Sequence, residues 1–219
     1  MDPLELHFKH CTTIQVSGPT RWKTRLVQRI FEEQLIQPFA TRIIWVYSEW
    51  QPDYDMIRER YPGIEFEKEW RDDIFDSLTP EQYNILVLDD QMGVASSSKS
   101  VCDLFTTGSH QGNLTVIYLV QKVYNQGKSQ RTISLNSDYS VVFRNGRDAS
   151  QFQTLAYQIC PSNGDWLVDA FKDATSKQYW CLVLDNIPST PKDQTVATNI
   201  LPGKQLAYYI NSNLKVKGQ

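Results

Sequence analysis

The chain has 219 residues, and 22 basic against 25 acidic side chains give it a formal charge of −3. Its 41% hydrophobic and 21% charged residues exclude a disordered segment, and ten glycines with ten prolines exclude a fibrous protein. The length suits one large domain that buries its core without disulfides, and the mild acidity excludes a wholly basic nucleic-acid coat while leaving room for a local basic patch.

The elements follow in chain order. Met1 to His7 has no basic segment ahead of an apolar run, so no signal peptide is expected. A strand is predicted over Thr12–Ser17. Leu26, Val27, Ile30, Phe31 and Leu35 then recur at helical spacing and define one apolar face. A second strand is predicted over Arg42–Tyr47, with Trp45 and Tyr47 at alternate positions along it, and a helix over Tyr54–Arg60. The third strand, Ile85–Asp89, is a continuous apolar run of the kind that suits a strand covered on both faces. A helix over Lys99–Phe105 precedes a strand over Thr115–Val120; the apolar stretch there is far short of the ~20 residues needed to span a bilayer. A strand over Ser140–Phe143, helices over Ala149–Ile159 and Asp165–Ala174, and a strand over Trp180–Leu184 complete the series. Ile187–Pro202 reads as an irregular tail, so the domain is expected over 1–203 with a C-terminal tail over 204–219. Strand–helix alternation implies a doubly wound, mainly parallel α/β sheet with helices on both faces, whose ligands bind beyond the carboxyl ends of the strands. Cys11, Cys102, Cys160 and Cys181 lie far apart and are expected as buried free thiols; with His7, His10 and His110 they form no metal-ligand spacing.

The first strand runs into Ser17-Gly-Pro-Thr-Arg-Trp-Lys-Thr24 and a helix follows. A strand, a turn, Lys-Thr and a helix is the layout of a phosphate-binding loop. There, backbone N–H groups hold phosphate oxygens, the lysine reaches the terminal phosphates and the threonine ligates Mg²⁺. Gly18, Pro19, Thr20, Lys23 and Thr24 are therefore the candidate nucleotide-binding residues. The motif has four residues between its glycines; here Lys23 comes one residue early and Trp22 stands in place of the second glycine. The third strand ends in Asp89-Asp90, the layout in which the first carboxylate holds the metal shell and the second orients the attacking water. Gln121 ends the next strand and is expected between the two preceding strand ends. From Lys122 to Arg147 the chain carries a net +4, from Lys122, Lys128, Arg131, Arg144 and Arg147 against Asp138. That stretch reads as a solvated loop, as an arginine finger for a neighbouring subunit, or as a DNA backbone contact.

Ser17-Gly-Pro-Thr, Arg42-Ile-Ile-Trp-Val-Tyr-Ser-Glu-Trp-Gln-Pro, Leu86-Val-Leu-Asp-Asp-Gln-Met, Gly108-Ser-His-Gln-Gly-Asn and Arg131-Thr-Ile-Ser-Leu-Asn together resemble the poxvirus-type genome-packaging ATPases of the FtsK/HerA superfamily, as in Polinton/Maverick and adintovirus-like elements. Phe143-Arg-Asn-Gly-Arg-Asp and Thr198-Asn-Ile-Leu-Pro-Gly extend the resemblance over nearly the whole chain. It implies an intracellular or virion-associated motor that forms a homo-oligomeric ring, drives double-stranded DNA into a capsid with Mg²⁺ and ATP, and has no membrane partner. It matches Lys23 and Thr24 to the phosphate and Mg²⁺ pair, Asp89 to the metal carboxylate, Asp90 to the catalytic carboxylate, Gln121 to the strand-end glutamine, and Arg131 or Arg147 to the finger in trans. Relatives read Gly-Pro-Thr-Gly-Ser-Gly-Lys-Thr, so this loop is shortened and lacks both inner glycines. The alternative is therefore a catalytically inactive pseudo-ATPase of the same fold, acting as a binding or structural subunit.

Overall fold

The computed structural model describes residues 6–91, 99–108, 113–122, 128–145, 149–201 and 203–211. A short parallel pair, β1 (Phe8–Lys9) and β3 (Ile36–Gln37), flanks the main sheet. That sheet is built from β2 (Thr13–Ser17), β4 (Arg42–Tyr47), β5 (Ile64–Lys68), β6 (Asn84–Asp89), β7 (Leu114–Val120), β8 (Tyr139–Phe143), β9 (Cys181–Asp185), β10 (Val196–Thr198) and β11 (Ala207–Tyr208). Its order is β11-β10-β9-β8-β2-β7-β6-β4-β5. The strands from β8 to β5 run parallel, while β9, β10 and β11 add antiparallel. Every residue of β2, β6 and β7 is buried, and Ile85-Leu-Val-Leu88 of β6 is accordingly an unbroken apolar run.

Helices α1 (Thr20–Glu32), α2 (Pro52–Arg60), α3 (Asp72–Asp76), α4 (Lys99–Asp103), α5 (Lys128–Asn136), α6 (Ala149–Ile159) and α7 (Gly164–Ala174) cross between strands, and one π-helical turn, Leu104–Gly108, continues α4. Leu26, Val27, Ile30 and Phe31 of α1 and Ile57 of α2 join Ile14, Trp45, Val87 and Ile117 in the core on one side of the sheet. Val101, Leu104 and Ile133 close the opposite side over Leu86, Leu88, Val116 and Tyr118. The stacked pair Phe152–Phe171, with centroids 4.0 Å apart, packs α6 on α7.

Four features differ from expectation. The segment Ile187–Pro202 is not simply irregular, because its Val196–Thr198 hydrogen-bonds to β9, and Ala207–Tyr208 adds a further strand beyond it. Both strands are too short to show a period. β5 alternates Ile64 and Phe66 with three charged residues, the pattern of a charged edge strand, and escaped the sequence reading for that reason. Lys128–Asn136 is a helix rather than a solvated loop, and Ile133 is its core residue. Of the four free cysteines only Cys181 is buried, while Cys11, Cys102 and Cys160 are half-buried.

Asp138 belongs to the scaffold and not to the basic stretch around it. Its Oδ2 accepts from Thr13 N at 2.8 Å and from Thr13 Oγ1 at 2.9 Å, joining the starts of β2 and β8. Asp138→Ala should lower the unfolding free energy by about 2 kcal/mol, because charge-assisted bonds from a part-buried amide and hydroxyl are lost. Urea denaturation measures it, and a loss below about 0.5 kcal/mol would refute the staple.

Candidate functional site

The parallel strands deliver their chemistry to one edge. β7 lies between β2 and β6, with Ser17 opposite Val120 and Asp89 opposite Leu119. The backbones of β2 and β6 are thus two strand spacings apart, about 10 Å. Both chain exits are pinned to β7: Gly18 N donates to Val120 O at 3.2 Å and Asp90 N to Leu119 O at 3.3 Å. Gln121 follows β7 between these exits, where the sequence places it, and its side chain is exposed.

Lys23 and Asp89 are both buried here, each 1% exposed. Lys23 is the fourth residue of α1, and its side chain turns back toward the helix start, where Nζ donates to Gly18 O at 3.2 Å. Burial lowers its pKa, and the nearby charges of Asp89 and Asp90 oppose that shift. Burial pushes the Asp89 carboxyl up to about 6. Its Oδ2 accepts from Tyr54 Oη at 2.6 Å, whereas its Oδ1 is buried without a partner. Tyr54 comes from α2, is fully buried, and has its pKa raised by burial and by the Asp89 charge. The sequence reading missed Tyr54 as a site residue. Its spacing to Ile57 and Tyr61 (i, i+3, i+7) marks the inward face of α2, but nothing in that spacing names its partner.

Asp90 is exposed and adopts a left-handed backbone, φ 56°. Its carbonyl accepts from Ser48 Oγ at 2.9 Å, and Ser48 Oγ in turn accepts from Gln91 Nε2 at 3.0 Å. The two carboxylates therefore differ in kind: Asp89 is in the interior and Asp90 faces solvent. Arg131 is exposed on α5. Arg147 and His110 lie outside the described residues.

The segment Gly18–Lys23 fits a triphosphate poorly. α1 starts at Thr20, so the amides of Trp22 and Lys23 donate to Pro19 O, at 3.0 and 3.3 Å, instead of facing a ligand. Thr24 is fully buried, and its Oγ1 donates to Thr20 O at 3.3 Å within the helix. The Trp22 ring packs edge-on against Phe143, centroids 5.8 Å apart, and beside Tyr179 at 5.1 Å. Gly18, at φ 146°, is required by Phe143, because a Cβ there would meet Phe143 Cβ at 2.6 Å. Thr20 and Arg21 keep the free first amides of a helix. The buried carboxylate with its unpartnered oxygen suits a cation, but the loop as it stands does not cradle phosphates.

No family model matches the chain, and no curated protein matches its sequence. Solved structures do match. B204, the DNA-packaging ATPase of Sulfolobus turreted icosahedral virus, aligns over 86% of this chain and 97% of its own, with a TM-score of 0.55 at 10% identity. The genome-packaging NTPase B204 of Sulfolobus turreted icosahedral virus 2, in complex with ATP-γS, aligns over 85% of this chain and 95% of its own, with a TM-score of 0.55 at 14% identity. The same protein with AMPPCP aligns with a TM-score of 0.54 at 13% identity. The chain has the fold of a viral genome-packaging NTPase. The expected mainly parallel α/β architecture is thus correct. No helix among the described residues is long and apolar enough to cross a membrane.

Two outcomes follow. Raising the folded pKa of a carboxyl above its unfolded value leaves the native state lagging in deprotonation, so Asp89 lowers stability as pH rises from about 4 to about 6 and changes nothing above that. Relative to Asp89→Asn, the native chain should lose roughly 2–3 kcal/mol across that window in denaturation series at stepped pH; a constant difference would contradict the buried acid. Gly18→Ala should cost roughly 2–4 kcal/mol through its backbone strain and the Phe143 clash. A thermal melt within about 1 °C of the native chain would show that the turn adapts.

Proposed function

We propose that the chain is a subunit of a genome-packaging P-loop ATPase, one that joins copies of itself in a ring and uses ATP to move double-stranded DNA. The observation that carries this reading is the burial of Lys23 and Asp89 at one sheet edge, on either side of β7, in a fold shared with packaging NTPases. A lysine for phosphate and a carboxylate for a cation occupy the two strand exits at which phosphoryl-transfer chemistry needs them. In this reading Thr24 and Asp89 serve Mg²⁺, Asp90 and Gln121 face the water side, and Arg131 or Arg147 reaches a neighbouring subunit. The net +4 from Lys122 to Arg147 supplies the DNA contact, and capsid protein is the further partner. Such a subunit works inside the cell or the virion.

A second reading has its own observation. The amides of Trp22 and Lys23 are already bonded to Pro19 O, and Lys23 Nζ to Gly18 O. A chain that keeps this conformation is a non-hydrolysing member of the same fold, binding DNA or sister subunits without turnover. For the ATPase reading to hold, the first turn of α1 has to unwind when nucleotide arrives.

Phosphate release from Mg²⁺·ATP, with and without duplex DNA, separates the two. The ATPase reading expects DNA-stimulated turnover that Lys23→Ala reduces at least 100-fold, about 3 kcal/mol of transition-state stabilisation. No turnover in the parent, together with turnover on inserting Gly-Ser-Gly at Arg21-Trp22, establishes the second reading. Equal turnover in the parent and Lys23→Ala would remove Lys23 from the chemistry.

A further inference from the structure

β8 sends its side chains to two different faces of the sheet. Val141 and Phe143 pack in the core with α1, and Val142 packs on the other side with α6 and α7. Arg144, the residue after β8, continues that alternation and borders a cavity of about 450 Å³ on the α6–α7 side. Phe152 from α6, Val168 and Phe171 from α7, and Thr175 directly after α7 line this cavity. Lys172 is a second exposed cation at its edge. Neither Lys23 nor Asp89 reaches it, and among the described residues no carboxylate lines it.

The wall is apolar, and its polar atoms are engaged. Phe152 and Phe171, 1% and 9% exposed, stack with centroids 4.0 Å apart and planes 18° apart, which commits each ring to the other instead of to the space beside them. Thr175 is buried and its Oγ1 donates to Phe171 O at 2.7 Å, so the hydroxyl proton of the wall is taken. Such a surface gives water few partners, and an apolar hollow left empty forfeits dispersion contacts. The volume falls within the range of small-molecule pockets, roughly 300–1,000 Å³. The edge fixes the charge of what fits. Lys172 Nζ donates to Asp169 Oδ1 at 2.8 Å and is compensated there. Arg144 is exposed and has no carboxylate partner among the described residues. One uncompensated guanidinium balances one monoanion, and its planar fork meets the two oxygens of a carboxylate. A phosphate dianion would bring a second charge that nothing on this wall offsets.

We propose that this cavity binds a small organic acid, with its apolar body, a ring or a short alkyl chain, against Phe152, Val168 and Phe171 and its carboxylate on Arg144. The site lies on the sheet face away from α1 and requires neither Lys23 nor nucleotide, so it goes beyond the packaging-ATPase reading and does not rest on it. An acid held there ties the exit of β8 to α6 and α7 at once. Binding therefore raises the melting temperature of the chain.

Calorimetric titration of the full chain with phenylbutyrate, paired with thermal melts, tests the proposal. The comparison ligands are phenylbutyramide, which lacks the charge, butyrate, which lacks the ring, and inorganic phosphate. The variants are Arg144→Gln and Val168→Trp, each checked for fold by circular dichroism. The parent should bind phenylbutyrate about tenfold or more tightly than either phenylbutyramide or butyrate. Arg144→Gln should weaken phenylbutyrate about tenfold and leave phenylbutyramide unchanged. Val168→Trp, which fills the cavity, should abolish both. No binding or thermal shift in the parent at about 10 mM phenylbutyrate overturns the proposal. So does phenylbutyrate binding that is unchanged in Arg144→Gln or survives Val168→Trp, and so does a site that takes inorganic phosphate in preference to phenylbutyrate. Should Val168→Trp fail to fold, Arg144→Gln, an exposed substitution, decides by itself.

Discussion

An ammonium and a carboxylate buried at the same end of one sheet constrain most of this structure. Moving either charge alone out of water is costly enough that the protein must supply a partner or give up the charge. Lys23 finds the Gly18 carbonyl and the field of Asp89; Asp89 finds the Tyr54 hydroxyl and the field of Lys23. Each arrangement recruits a separate element: α1 brings the lysine, α2 the tyrosine and β6 the acid. β7 sets the separation, because its last residues accept hydrogen bonds from both Gly18 and Asp90. Strand order therefore does chemical work here, and the helices on that face are placed to serve the pair.

The closed loop follows from the same constraint plus one missing residue. A phosphate-binding loop holds its chain away from helical dihedrals with glycines, so the amides ahead of the lysine point at a ligand. Here Arg21 and Trp22 stand in place of the inner glycines, and neither resists helix. α1 accordingly begins at Thr20, and Pro19, which lacks an amide, sits at its N-cap. The helical turn converts free donors into satisfied ones. It also carries Trp22 off to the side, where Phe143 and Tyr179 receive it. The closed loop and the packing of Trp22 are two results of one local change.

Much of this was legible in the sequence, and the rest was hidden for identifiable reasons. Strands buried on both faces announce themselves, so β4 was read to the residue and β2, β6 and β7 to within one. The places of Asp89 and Gln121 at the ends of β6 and β7 were legible because both strands were read to within one residue. Edge elements were not: β5 alternates with charges, and β10 and β11 are too short for any period. Tyr54 was invisible as a partner of Asp89, and Tyr179 as a partner of Trp22, because each comes from a segment distant in sequence from the residue it meets. Only the fold brings them together.

The shape of the Asp89 environment argues about what the site can do. Asp138, which serves as scaffold, holds an amide and a hydroxyl of Thr13 on one oxygen at the part-buried sheet margin. Asp89 instead holds Oδ2 on a neutral hydroxyl and leaves Oδ1 bare in the interior. A bare buried carboxylate oxygen costs stability unless something else keeps it. The Lys23 charge acts on Asp89, yet its ammonium donates to the Gly18 carbonyl. If the first turn of α1 unwinds, that carbonyl moves and frees the ammonium, and the amides of Trp22 and Lys23 are released in the same step. A single local transition would therefore turn three satisfied donors into free ones, beside a carboxylate oxygen that is already unpartnered.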